Sequence, residues 1–446
     1  MLNNLFQPRK CVSAILKKGA TLMKSKMLLS VLLIVAMILS ACGGGGSGSS
    51  GETADGKIVI KYINGFTGGD GEYMKKITDG FNESQDQYVV EESQEKDHYT
   101  KFKTGSYDLV LIHSDNLQTY RQDNMIQDMG SVLEAAGISP DDFHPVAKEQ
   151  VTFEGATFAA PLDIHPMTMF YNKQLAPEAP MTYEAMTDLT NTLQEQDSNL
   201  YATGIPSGGL PEWFYMTIAA QNNINLVEGN HLNFAQDEFA DALMIYHDMI
   251  YKDNISPAGL GLDGEFQAFM KQVDEGGSSV QTATALTGPW YYQAVKEAYG
   301  DDLGIASAPQ LGDQPGVYGG GHTLALPASV QDEEKKAGIA EFLKYMYTPE
   351  NLLNWADSGQ APTHLATIEL VEQDAEKYPL AAQNVQQFDS FVGAPQLYQY
   401  REQVRYMTES VFPQLVGDEG MTKDKLMSEL QKATDQAAQV AETAPQ

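Results

Sequence analysis

Thiols are all but missing from this chain of 446 residues, which has two, Cys11 and Cys42. Neither lies beyond residue 42, so the long body that follows can form no disulfide, no thiolate metal site and no cysteine nucleophile. Basic charge is scarce as well. Lys and Arg number 28 against 60 Asp and Glu, a formal charge of −32 at pH 7. That excess repels nucleic acid and anionic lipid, which disfavours both as partners; it suits solubility and leaves a cation-binding role open. Long apolar runs are missing too. The stretch from Met27 to Leu39 is about a dozen apolar residues, where roughly 20 are needed to cross a bilayer.

That short run is informative because of its flanks. Lys24 and Lys26 precede it, small residues end it, and the Gly/Ser-rich stretch Gly43 to Gly51 follows. A basic start, a short apolar centre and a small-residue cut site make a secretory signal. The ending Leu39-Ser40-Ala41-Cys42 resembles a bacterial lipobox. The resemblance implies that Cys42 is alkylated by diacylglycerol and becomes the new N-terminus, with the body held outside the cytoplasmic membrane on a flexible leash. Met23-Lys24-Ser25-Lys26 would make an ordinary start, so translation is expected to begin at Met23. The leader holds six of the 28 basic residues and no acid, so the exported part carries 22 against 60, a charge near −38.

At this length two domains are expected, since one hydrophobic core rarely supports so many residues. Hydrophobic content of 42% with 17 Phe and 22 Tyr argues for packed cores. Lys57 to Tyr62 reads as a strand, and Met74, Ile77 and Phe81 recur at helical spacing, the helix ending near Phe81-Asn82. Asp108 to His113 holds a continuous apolar run, as expected of a strand buried on both faces. Strand, helix and strand in that order imply crossover units and an α/β sheet. Later helices are marked by Met186, Leu189 and Leu193 behind a Thr182 cap, by Phe239, Leu243, Tyr246 and Ile250, and by Ile339, Phe342 and Met346. Thr348-Pro349-Glu350 reads as a further helix start, and the last helix is expected from about Thr422 to Val440.

The familiar catalytic and nucleotide patterns fail on context. Gly43-x-Gly45-x-x-Gly48 has no strand before it and no helix after it, which leaves a tether. Gly51-x4-Gly56-Lys57 places Ile58 where a P-loop needs Ser or Thr. None of the eight histidines forms His-Glu-x-x-His or sits at metal-ligand spacing from a second one, so no metal and no cofactor is expected. His165, close to Asp163, reads either as a polar group facing a cleft or as a structural hydrogen bond. Trp213 and Trp290 have Pro and Gly neighbours of loop type. An indole face is flat and apolar yet can donate one hydrogen bond, which suits the C–H face of a sugar ring. Trp355 also fits the apolar face of its helix, and packing alone would explain it.

Taken in order, the motifs resemble the bacterial extracellular solute-binding protein family 1, the maltose-binding-like receptors of ABC importers. The likeness covers nearly all of the chain after residue 57. It rests on Phe81-Asn82, Tyr107-Asp108-Leu109-Val110, the stretch Phe153 to Pro161, Met169-Phe170-Tyr171-Asn172-Lys173, Pro180-Met181-Thr182-Tyr183, Gly288-Pro289-Trp290, Gly319-Gly320-Gly321, Pro327-Ala328-Ser329 and Gly359-Gln360-Ala361-Pro362. Tyr183 stands where the family often has Trp.

The resemblance implies a two-lobed periplasmic-binding-protein-like (type II) α/β fold, each lobe a mostly parallel sheet flanked by helices. The chain would cross between lobes near Asp163, Gln310 and Gly359. Residues 1–41 would be signal peptide and 42–56 the lipidated cysteine and tether. Lobe I would hold 57–163 and 311–359, and lobe II 164–310 and 360–446. It implies no enzyme but a monomeric receptor, lipid-anchored on the outer face of a Gram-positive-type membrane, that hands a carbohydrate to permease subunits. Expected contacts are Thr67, Asp70, His113, Ser114, Asp163, His165, Trp213, Trp290, Gly320 and His322. Asp70 reads equally as a solvated loop acid. The alternatives left open are a receptor for a cationic solute such as a polyamine, a secreted glycosidase, and a surface lipoprotein without ligand.

Overall fold

The computed structural model describes residues 53, 56–270 and 280–445. The leader with Met23, the lipobox-like Cys42 and the tether after it lie outside the described residues.

The β-branched run Ile-Val-Ile opens strand β1 (Ile58–Asn64). Helix α1 (Gly71–Ser84) buries Met74, Ile77 and Phe81 on one face and runs two residues past the expected end. Strand β2 (Tyr88–Gln94) then returns parallel to β1. Helix α2 (His98–Thr104) leads to β3 (Leu109–His113), whose Leu-Val-Leu-Ile run is fully buried. Burying each such side chain contributes roughly 1.5–3 kcal/mol. Helix α3 (Ser114–Gln122) begins at the very end of that strand.

Strands β4 (Ala159–Pro166) and β5 (Thr168–Asn172) follow. Helix α4 (Tyr183–Gln194) has the expected cap, with the Thr182 hydroxyl accepting from the Ala185 N–H at 3.1 Å. Then come α5 (Pro211–Gln221), α6 (Asp237–Tyr251), α7 (Gly264–Phe269), β6 (Thr284–Thr287), β7 (Leu303–Ser307), β8 (Val317–Pro327) and α8 (Glu333–Met346). Helix α9 (Pro349–Asp357) starts where expected, but the Thr348 hydroxyl donates back to the Lys344 carbonyl and caps nothing. Strand β9 (Ala361–Pro362), α10 (Tyr400–Tyr406) and α11 (Lys423–Ala441) complete the elements that matter below. No helix among the described residues is long and apolar enough to cross a membrane.

Among the described residues the largest sheet has eight strands, with the main path β9-β4-β8-β3-β1-β2. Strand β5 lies between β6 and β7 in a second sheet of three. The strands are less parallel than the family resemblance implies: β8 runs antiparallel to β3 and β4, and β5 antiparallel to both its neighbours. The reason is connectivity, because β8 re-enters the large sheet from the other half of the molecule.

Two large hydrophobic cores make the body two-lobed. Ile60, Met74, Phe81, Leu162, Leu324 and Trp355 share one. Ile164, Phe214, Tyr246, Val317, Tyr318 and Phe412 share the other. Strands β4 and β8 therefore each contribute to both cores, and pass between them around Asp163 to His165 and around Gly319 to His322. Gln310 still belongs to the second half, with its N–H on the Met181 carbonyl.

Candidate functional site

Strands β3, β8 and β4 lie side by side in a register that sets His113 opposite His322, and His322 opposite Asp163. Facing residues of paired strands point to the same side of a sheet. His322 and Asp163 thus meet although they are 159 residues apart. Two positions along β4, His165 lies opposite Gly320. Any side chain at Gly320 would run into His165 Nε2, so glycine is what makes room for the ring.

Asp163 is the hub. Its Oδ1 accepts from His165 Nδ1 at 2.8 Å and from the His322 backbone N–H at 3.3 Å. Its Oδ2 accepts from His322 Nδ1 at 2.8 Å and from Trp355 Nε1 at 2.7 Å. Four N–H donors on one buried carboxylate offset the loss of its hydration. Asp163, His165 and His322 do carry donor atoms within 4.8 Å of one another, the residue types of a metal site. A cation between them would have to displace both ring protons, so the arrangement fits a hydrogen-bonded hub better. Sequence spacing could not reveal the trio, because His322 arrives on a distant strand.

Protonation follows from this geometry. Burial opposes a charge on His322, but the Asp163 carboxylate outweighs it and the ring's pKa is raised. Burial alone would raise Asp163, yet the charge on His322 and the ring N–H bonds hold it well below the usual carboxylate range. Burial, and then the charge on His322, lowers His165 and lowers His113 further. The Tyr99 hydroxyl accepts from the His113 backbone N–H at 2.9 Å and shares a second hydrogen bond with His113 Nδ1 at 2.7 Å.

Beside this row opens a cavity of about 420 Å³, lined from both lobes. Trp213, on α5, and Trp290 form one corner, with ring centroids 5.3 Å apart and planes at 76°. His165 lies nearly parallel to Trp213, at 20° and 6.0 Å. The lining is polar elsewhere. Arg401 Nε, on α10, donates to Asp115 Oδ2, on α3, at 2.8 Å. Glu212 Oε1 accepts the phenol protons of Tyr318 and of Tyr400, the latter at 2.7 Å, and burial raises the carboxyl's pKa. Two apolar faces at a near right angle, rimmed by planar polar groups, suit a ring with C–H faces and equatorial hydroxyls.

Of the residues expected from sequence, His113, His165, Trp213, Trp290 and Gly320 line this cavity. Asp163 and His322 lie behind its wall as the hub that orients His165. Ser114 only begins α3. Thr67 and Asp70 do not reach the lining. Thr67 is exposed, and Asp70 is half-buried just before α1, its pKa raised by burial. Phe66 is the residue of that loop that turns inward, its ring 4.9 Å from His322 and 4.7 Å from Trp355. Trp355 is a core residue that holds Asp163. Sequence reading missed Asp115, Glu212, Tyr318 and Arg401. The signals were there: Asp115 follows Ser114, Glu212 precedes Trp213, and Arg401 and Arg405 are two of three arginines beyond Cys42.

Two α/β lobes, joined by shared strands and meeting at a cavity, define the class of two-lobed solute-binding proteins. The chain belongs to the bacterial extracellular solute-binding protein family, whose profile matches residues 76–384. It is 25% identical over 353 residues to the maltooligosaccharide ABC transporter solute-binding lipoprotein of Streptococcus pneumoniae (strain ATCC BAA-255 / R6), covering 72% of this chain and 76% of that one. It is 22% identical over 405 residues to the maltodextrin-binding protein MdxE of Bacillus subtilis (strain 168), covering 87% and 90%. Its fold matches that of maltose-bound T. maritima MalE3 with a TM-score of 0.70 at 16% identity, over 84% of this chain and 99% of that one.

Proposed function

We propose that this protein is the receptor of an ABC importer and that it captures a sugar or oligosaccharide in the interlobe cavity, passing it unaltered to the permease. The observation that carries the reading is the corner of Trp213 and Trp290 within a cavity rimmed by His113, Asp115, Glu212 and Arg401. Each sugar hydroxyl must exchange water for a protein partner, and pre-placed partners with stacked indole faces leave a net gain that loose ones would not. The names of the relatives from Streptococcus and Bacillus support the same ligand class. Hinge closure around the ligand would present the form that the permease recognises. In this reading the lobes divide near Asp163, along β8 and near Gly359. The protein works as a monomer, anchored through diacylglyceryl on Cys42 at the outer face of the membrane after removal of the leader. Ligand contacts come from His113, His165, Trp213, Trp290 and Gly320, with Asp163 and His322 positioning His165.

Native mass spectrometry of the freshly purified, unheated protein tests this directly. The expected result is a co-purified adduct that is released on denaturation and identified as an intact saccharide. A released amino acid, peptide or polyamine would overturn the ligand class, and a cleaved glycoside would overturn the receptor reading.

A further inference from the structure

The charges around the cavity do not balance. Asp115 is paired with Arg401 at 2.8 Å, and Glu402 with Arg405 at 2.8 Å. Both cavity arginines thus have an acid closer than Glu212, and His113 and His165 stay neutral through burial and the nearby charge on His322. Two acids of the lining, Glu212 and Glu409, have no basic group within salt-bridge distance among the described residues. Glu409 is exposed at the surface, whereas Glu212 is set into the wall beneath two tyrosines. Both of those phenols bind Oε1. No protein donor among the described residues engages Oε2, although Glu212 lines the cavity.

A carboxylate in a recessed wall with no cation in contact loses part of its hydration, and burial outweighs the more distant charge of Arg401, a cost that an ammonium group of a ligand would offset. The neighbouring aromatic corner adds to the same preference, since indole faces attract a cation as well as a sugar's C–H face. At longer range the exported body, near −38 in formal charge, draws cations toward its clefts.

We infer that Glu212 is an ammonium subsite and that the ligand is an amino sugar, free or within an oligosaccharide, with its protonated amine on Glu212 Oε2. This rests on the sugar reading above and narrows it. One recessed acid matches one ammonium group. A polyamine carries several spaced along an apolar chain, and beyond Glu212 the lining offers one further unpaired acid, the exposed Glu409. Trp213 and Trp290 would take the ring faces, and the Arg401–Asp115 pair would meet hydroxyls. N-acetylation would remove the charge and leave Glu212 as costly as in the empty site.

Isothermal titration at about pH 6, where aliphatic amines are protonated, can compare glucosamine and its β-1,4 disaccharide with their N-acetylated forms, with glucose and maltose, and with spermidine. A charge-assisted bond to a recessed carboxylate predicts about tenfold or greater preference for the free amine over its N-acetylated or hydroxyl counterpart. Glu212→Gln keeps an acceptor for both phenols and should erase that preference, so that the amine and its hydroxyl counterpart bind alike. The inference is overturned if neutral sugars bind as tightly as amino sugars, or if the preference survives in E212Q. If spermidine binds tightly and no saccharide does, the sugar reading itself fails. The wild-type comparison stands even if the variant folds poorly.

Discussion

Glu265 shows how costly one incompletely partnered carboxyl can be. It is wholly buried at α7, its Oε1 takes a hydrogen bond from the Thr287 hydroxyl at 3.1 Å, and its Oε2 has no partner among the described residues. Burial pushes its pKa from 4.5 up to about 7. A carboxyl whose folded pKa is raised contributes its full stability below the unfolded value and loses it as pH rises through the folded one. The loss should run from about pH 4.5 to beyond pH 7 and reach ~3 kcal/mol. Glu265→Gln cannot ionise, so it should match wild type near pH 5 and exceed it by ~2–3 kcal/mol at pH 8. Urea denaturation at the two pH values measures this, and an unchanged gap between the two proteins would refute it. Asp163 is the contrast. It is equally buried, but four donors keep it ionised. Sequence showed Asp163 and His165 as neighbours; it could not show that His322 and Trp355 complete their set, because those bonds span more than 150 positions of chain.

At the level of elements, the β4–β8 pair sets the geometry of the site. In sequence, Gly319 to Gly321 looks like backbone made bare for a ligand. Within the fold its first duty is strand against strand. A Cβ on Gly319 would run into the His165 carbonyl and the Pro166 Cα, both backbone, so no side-chain rotation could relieve it. Gly319→Ala should cost ~1–3 kcal/mol, read as a lower urea midpoint with an unchanged slope. Gly417→Ala has nothing within 4 Å of the added carbon and serves as the control. Equal midpoints for the two variants would mean that the strands part easily. The helices were easier to read. Met74, Ile77 and Phe81 mark α1, and Thr182 caps α4, because local spacing and one nearby hydroxyl suffice. Thr348 failed as a cap because its hydroxyl had a better-placed acceptor one turn back, at Lys344.

Across the whole molecule, three contacts join α3 to the segment leading into α10. Arg401 reaches Asp115, the Gln399 N–H reaches Thr119 Oγ1 at 2.8 Å, and the Tyr398 hydroxyl reaches Asp123 at 3.0 Å. The Arg401 side chain is about half exposed, at 48%, so its ion pair contributes ~0.2–1 kcal/mol. Such a latch is weak, as the proposed ligand-dependent closure would require. Arg401→Ala should therefore widen the ligand-free ensemble slightly, seen as a larger radius of gyration by small-angle X-ray scattering, with little change in melting temperature. An identical radius would show that the pair does not hold the lobes together. The acidity of the chain after Cys42, its want of thiols and most of its helices were determined by sequence alone, because composition and short-range periodicity act within a few residues of chain. The tertiary structure decided which of 60 acids matter. Glu212 came to line the cavity and Asp163 became a hub only when strands and helices from distant positions drew water away from them, and desolvation is a property of surroundings that no local pattern of residues contains.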